Sequence, residues 1–333
     1  MTHRERFKKA LDRQPITGLV PHFELVFFLT MEAIGRVHPS HRFYEQWDQM
    51  ERKEQRLQML DMARSYIEIA VKYGHSAIFV HPNPNPVKLW GKDNNPVVEI
   101  LQTIRELSGD QFFLMMHGDP TFSIPDGENM MDFSTRMYEE PEVLHRQARR
   151  QVDQARVLSD TLAKNPGLLD GFALCADYCF NVNPFFTRDQ FSEFIQPYLT
   201  EIIAHYRSQG LYTIKHSDGN IMPILDLMVA SGPHALHSLD PQGGVDLKEV
   251  KRLVGDQVCL IGNVNCGLMQ TGTETELVAD VRRSLREGMP GYGYIFSTSN
   301  CIYTGLPLER YELMNQVWRE EGVYPKNTAP ERV

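Results

Sequence analysis

The chain lacks an apolar run of the roughly 18 residues that a membrane-crossing helix requires, so no transmembrane span is expected. Residues 1–7 are polar and carry no hydrophobic leader region, so no secretory signal is expected. Cysteine is scarce: five thiols, at 175, 179, 259, 266 and 301, are scattered over 333 residues. An odd, dispersed set of this kind excludes a disulfide frame and fits reduced thiols in a cytoplasmic protein. There is no block of like charge, and 34 basic against 43 acidic side chains leave a net charge of -9, which argues against nucleic-acid binding. Neither G-x-G-x-x-G nor G-x-x-x-x-G-K-[ST] occurs, which removes the main support for a nucleotide site. No short-period repeat of the solenoid kind is present.

With 42% hydrophobic residues there is ample material for a large core. Eight short β-rich runs occupy 20–28, 76–80, 112–116, 171–175, 211–214, 235–239, 258–261 and 292–296. Helical periodicity fills the spaces between them, at 45–73, 141–164, 191–209, 221–230, 247–253 and 273–287. Thr187-Arg188-Asp189-Gln190 and Thr273-Glu274-Thr275-Glu276 have the form of helix starts. Alternating strands and helices imply a parallel sheet. Eight such units without an obvious linker predict one (β/α)8 barrel over residues 1–333, with 1–18 as a helical extension packed outside it. Residues 87–104, behind the proline-rich 82–86, read as an excursion after the second strand.

In such a barrel the chemistry gathers where strands end. The strand ends supply Glu24, His81, His117 with Asp119, Asp177 with Tyr178, His216 with Asp218, Asp240, Asn263 with Asn265, and Asn300 with Cys301. The most informative of these is Lys215-His216-Ser217-Asp218-Gly219, because residues i and i+2 of a strand project to the same side. His216 beside Asp218 can bind a divalent metal, act as an acid/base pair, or satisfy itself by hydrogen bonding. Asp177, Asp218 and Glu24 are the candidate catalytic carboxylates. Tyr178, His81, His117, Asn263 and Phe122 are the candidate substrate contacts. The bland alternatives are loop anchoring for Asp177 and Tyr178, helix capping for Asp218 and inert packing for Cys259 and Cys266.

The order of several motifs resembles the uroporphyrinogen decarboxylase superfamily. Leu260-Ile261-Gly262-Asn263-Val264-Asn265 is similar to its Gln-Gly-Asn-x-Asp-Pro stretch, and Asp240 with Val245-Asp246-Leu247 matches the segment before it. Phe191-x2-Phe194-x2-Pro197-Tyr198, Gly118-Asp119-Pro120-Thr121, Arg4-Glu5-Arg6-Phe7 and Leu306-Pro307-Leu308-Glu309 also fit. The resemblance implies a single (β/α)8 barrel. It departs from true decarboxylases where those carry an arginine-rich segment after strand 1 and an essential Asp after strand 2. Here the chain has Glu24, no arginine until Arg36, and His81-Pro82. A carboxylate at Glu24 would repel a polycarboxylate substrate.

A second branch of that superfamily moves methyl groups between small substrates, a corrinoid protein and a thiol, and several members hold zinc through a His-x-Cys and a distant Cys. The matching positions are His216, Asp218 and Cys301, with a carboxylate in place of one thiolate. The resemblance thus implies Zn²⁺ on His216, Cys301 and Asp218 (or Glu24). It also implies a small O- or N-methylated substrate, a corrinoid supplied by a partner protein, and a homodimer. A metal-free decarboxylase and a non-catalytic ligand- or corrinoid-binding protein are the alternatives.

Overall fold

The computed structural model describes residues 1–81, 83 and 96–325. Among the described residues nine short strands are present: β1 (Gly18–Leu19), β2 (Ala77–Val80), β3 (Phe113–His117), β4 (Gly171–Leu174), β5 (Tyr212–Ser217), β6 (Ala235–Ser238), β7 (Cys259–Ile261), β8 (Tyr294–Ile295) and β9 (Val323–Tyr324). β2 to β8 form one seven-stranded sheet in sequence order, with every neighbouring pair parallel. β1 and β9 pair separately and antiparallel.

The run at 20–28 does not form the eighth regular strand that its composition predicts. Pro21 has no N–H to give to a ladder. The segment nevertheless lies between the two edges of the sheet. The His22 carbonyl accepts from Ser76 N on the β2 side, while Phe23 N and the Pro21 carbonyl bond to Phe296 after β8. His22 makes isolated parallel bridges to both His75 and Phe296, and Phe27 one to Ile302.

Helices separate the strands: Arg52–Tyr73, Pro96–Ser108, Pro141–Ala163, Gln196–Ser208, Leu225–Ala230, Leu247–Val254, Glu274–Gly288 and Leu308–Glu321. Thr187 and Thr273 close capping boxes with Gln190 and Glu276, the local bonds that their spacing predicts. Of the expected excursion at 87–104, residues 87–95 lie outside the described residues, as do 82 and 84–86. The remainder belongs to the amphipathic helix Pro96–Ser108, which buries Val97, Ile100, Leu101 and Ile104. No helix among the described residues is long and apolar enough to cross a membrane.

Two apolar clusters result. One lies between the sheet and the helices. The other lines the inner face of the sheet with Phe23, Leu25, Phe79, Met115, Ala173, Ile214, Ile261 and Ile295. The N-terminal helix His3–Leu11 belongs to this inner cluster, which corrects the expectation that it packs outside. Phe7, Ala10 and Leu11 recur at i, i+3 and i+4 and are all buried, with the Phe7 ring against Phe23 and Phe113. Phe113 and Ala77 are the first residues of their strands, so the helix covers the end of the sheet opposite the strand exits.

Buried Asp170 fastens that helix. Its carboxylate receives Arg4, Lys8 and Arg105 together with the backbone N–H of Leu114. Burial pushes its pKa up, but hydrogen bonds and charge from Arg4, Arg105 and Lys8 outweigh this and hold it below the usual value. Replacing Asp170 with Asn leaves three cations facing a neutral amide. The expected cost is about 3 kcal/mol or more of unfolding free energy, read from urea melts, with faster hydrogen exchange in residues 3–11. An unchanged midpoint would refute this account of the helix.

Candidate functional site

Because side chains alternate along a strand, the residue two beyond each inner core position also faces inward, one layer nearer the exits. Phe79, Met115, Ala173, Ile214 and Ala235 are core. His81, His117, Cys175, His216 and His237 therefore follow as an inner polar ring, and parallel pairing of His216 with His237 keeps these two side by side. The signal for His237 was present in the sequence: Ala235 fixes the phase and His237 is its i+2. Asp240, three residues further on, is the more conspicuous polar group at the end of that run.

The centre of the site is His216. Its Nε2 lies 3.6 Å from Asp177 Oδ1 and 3.7 Å from Asp218 Oδ1. The ligand atoms of these three side chains all fall within 4.8 Å of one another, the one such His/Cys/Asp/Glu group of three among the described residues. His216 is nearly buried, whereas the Asp177 side chain is 44% exposed, so the cluster opens to solvent on the Asp177 side. Each member is held from behind. The backbone N–H of Asp218 donates to Asp177 Oδ1 at 2.9 Å. Ser238 Oγ donates to Asp218 Oδ1 at 2.9 Å, and Asn300 Nδ2 donates to Asp218 Oδ2 at 2.5 Å. Burial raises the Asp218 pKa; the Asp177 charge adds to this and the hydrogen bond from Ser238 opposes it. Gly219 has φ +77°, and a Cβ there would stand 2.4 Å from the Phe180 carbonyl, so the chain can leave the site here only as glycine.

The expected ligand set changes by one member: the group that forms is His216, Asp218 and Asp177, and Cys301 stands outside it. Asn300 Oδ1 accepts from the Cys301 backbone N–H. Burial pushes the Cys301 thiol up to about 11, with the Asp218 charge adding to the shift, so it is a thiol rather than a thiolate at neutral pH.

Glu24 is a second correction. It lies inside the sheet, not on the rim, with His22 Nε2 3.0 Å from its Oε1 and with Thr298 and Ser297 donating to its Oε2. Burial pushes its pKa up to about 8 against those hydrogen bonds, and burial pulls His22 down to about 3. The tautomer agrees. His22 Nδ1 faces the Tyr73 carbonyl, which can only accept, so Nε2 is bare and the Glu24 carboxyl supplies the proton between them. A neutral Glu24 repels nothing, which removes the charge argument against an acidic substrate.

His117 is exposed at the exit of β3. His81 is partly buried beside His38 and Phe79, and its Nδ1 has no hydrogen-bond partner. Tyr178 is fully buried, bonded to Thr121 and packed over Lys215, so it presents no surface to a ligand. Asn263 is also fully buried, donating to the Leu239 carbonyl and accepting from Arg283. Phe122 packs edge-on against Phe133. Asp119 is absorbed by the buried ion pair with Lys215, 2.7 Å away. Asp240 caps the turn Pro241–Gly243. Cys259 and Cys266 are buried packing residues.

Because Glu24 binds its proton more tightly folded than unfolded, its contribution is present at low pH and is lost as pH rises from the unfolded value toward about 8. Through this group stability should fall by about 1 kcal/mol per pH unit between roughly pH 6.5 and 8. Glu24→Gln keeps a neutral, similarly shaped partner for His22 and should flatten that slope in urea melts. Parallel slopes in the two proteins would count against a neutral Glu24.

The sequence profile of the family described as Uroporphyrinogen decarboxylase (URO-D) matches residues 126–321. No curated protein sequence matches the chain. Among solved structures, the chain is similar to a methyltransferase from Methanosarcina mazei, at 19% identity and a TM-score of 0.71, over 96% of this chain and 99% of that one. Matches of lower similarity include a β-mannanase from the blue mussel Mytilus edulis, at 10% identity and a TM-score of 0.45, over 91% of this chain and 92% of that one. The first of these likenesses establishes a shared fold.

Proposed function

The chain belongs to the uroporphyrinogen decarboxylase family, and from that premise we propose that it is a metal-assisted methyl-transfer enzyme acting on a small methylated compound. We read residues 20–28 as the eighth stave of a (β/α)8 barrel whose mouth carries the site. The single observation behind the proposal is the convergence of His216, Asp177 and Asp218 on one point at the strand exits. Two carboxylates and an imidazole form a donor set that suits zinc or a harder divalent cation. The fold shared with a methyltransferase supports the same reading.

His216 Nε2, Asp177 and Asp218 would hold the metal, which supplies Lewis acidity toward the heteroatom bearing the methyl group. The residues around it do the rest. Asn300 and Ser238 keep Asp218 in its rotamer, and the Asp218 N–H keeps Asp177 turned inward. His81 and His117 line the neighbouring strand exits, where they can orient a substrate by hydrogen bonds. A corrinoid carried by a partner protein would supply the nucleophile that accepts the methyl group, leaving the heteroatom its electron pair and a proton taken from water. With no thiolate in the three-residue group, methoxy or N-methyl compounds suit the site better than thiols.

Metal analysis tests the proposal. Purified protein should retain about one divalent ion per chain, lost in His216→Ala and strongly reduced in Asp177→Asn, while Cys301→Ser keeps it. Demethylation of candidate methoxylated or N-methylated compounds should then require added corrinoid protein. Absence of bound metal together with decarboxylation in the absence of a corrinoid protein would replace this reading with the metal-free alternative.

A further inference from the structure

His216 has a second ring nitrogen, and what that nitrogen touches determines whether the first can take a metal. His216 Nδ1 lies 2.8 Å from His237 Nδ1, a short contact that holds one proton between two ring nitrogens. The direction of that bond follows from the far side of His237. Its Nε2 faces Ser297 Oγ at 3.4 Å, and the Ser297 hydroxyl donates onward to Glu24 Oε2, also at 3.4 Å. With its hydroxyl hydrogen directed at Glu24, Ser297 offers His237 a lone pair, so His237 Nε2 is the protonated nitrogen. His237 Nδ1 is therefore bare, and the proton in the short contact belongs to His216 Nδ1.

It follows that His216 Nε2 presents a lone pair toward Asp177 and Asp218. Their separations, 3.6 and 3.7 Å, are longer than hydrogen bonds, as they should be when Nε2 has no hydrogen to donate. We propose that His237, oriented through Ser297, is the positioning residue of this site: it fixes the His216 ring in the tautomer whose Nε2 is free to bind a cation. The inference rests on the metal reading above but makes its own claim about the metal-free protein. His237 can do this because it is fully buried, with its ring against His216 and Phe23. Metal-binding histidines are commonly held in this way by a partner on the other nitrogen.

Two measurements decide it. In metal-free protein with ¹⁵N-labelled histidine, two-bond proton–nitrogen spectra at mildly alkaline pH should show His216, assigned by its loss in His216→Ala, protonated at Nδ1. In competition titrations with a chromophoric chelator, His237→Phe should weaken Zn²⁺ binding about 10- to 100-fold. His237→Gln, whose amide oxygen can accept from His216 Nδ1, should retain most of the affinity. A His216 ring protonated at Nε2 in the wild-type protein would overturn the proposal, as would a folded His237→Phe with unchanged zinc affinity. Should the wild type bind no zinc, the metal reading fails, and the tautomer spectrum still decides the role of His237. That spectrum also decides it if His237→Phe does not fold.

Discussion

The buried ammonium of Lys215 ties together three strand exits on which the site depends. From β5 its Nζ reaches Asp119 after β3 at 2.7 Å and the Ala176 and Leu174 carbonyls of the β4 exit at 2.7 and 3.3 Å, with the Tyr178 ring 4.0 Å away. Asp119 in turn accepts from Thr121 and from Ala176 N. Burial alone would raise the Asp119 pKa, yet the Lys215 charge and these hydrogen bonds hold it below the usual value. Such a pair adds little net stability compared with an apolar replacement, but removal of one partner strands the other charge, at a cost of about 3–5 kcal/mol. Its consequence is positional. Asp177 follows Ala176, and His216 follows Lys215, so the same contacts that satisfy the cation set two of the three converging groups.

Around that anchor the interior is polar yet uncharged. Glu24 and His22 face each other neutral, and Ser297 and His237 continue the hydrogen-bonded chain to His216. Ionised carboxylates are either paired with cations, as Asp119 and Asp170 are, or stand at the exits, where Asp177 meets solvent. This division follows from the physics of burial. A lone charge at the depth of Glu24 is costly, and protonation removes that cost. At the exits, water and opposing dipoles make carboxylates affordable and leave their lone pairs available.

Much of this was legible beforehand. Seven of the eight β-rich runs are strands within a few residues of their predicted places, because period and length distinguish strand from helix over such stretches. The exception, 20–28, has strand composition but carries Pro21 as its second residue, and its hydrogen bonds are divided between two edges. His216 and Asp218 stood out because i and i+2 on a strand share a face whatever the fold. Tyr178 and Asn263 misled for one reason: a polar residue beside a strand end can be satisfied by its neighbours and buried, and one-dimensional spacing does not reveal those neighbours. Cys301 was drawn in by motif order, which carries no distance. The placement of the first helix was hidden likewise, since an apolar stripe such as Phe7, Ala10 and Leu11 does not say which surface it meets.

By itself, then, the sequence determined the alternation of strands and helices, the family, and the presence of a histidine and carboxylates at successive strand exits, because these depend on local periodicity and residue order. Only the tertiary structure decided which carboxylates face His216, that Glu24 is a neutral interior group, and that His237 stands behind the ring. Those properties depend on distance, burial and hydrogen-bond direction between residues far apart in the chain, and the folded sheet creates all three.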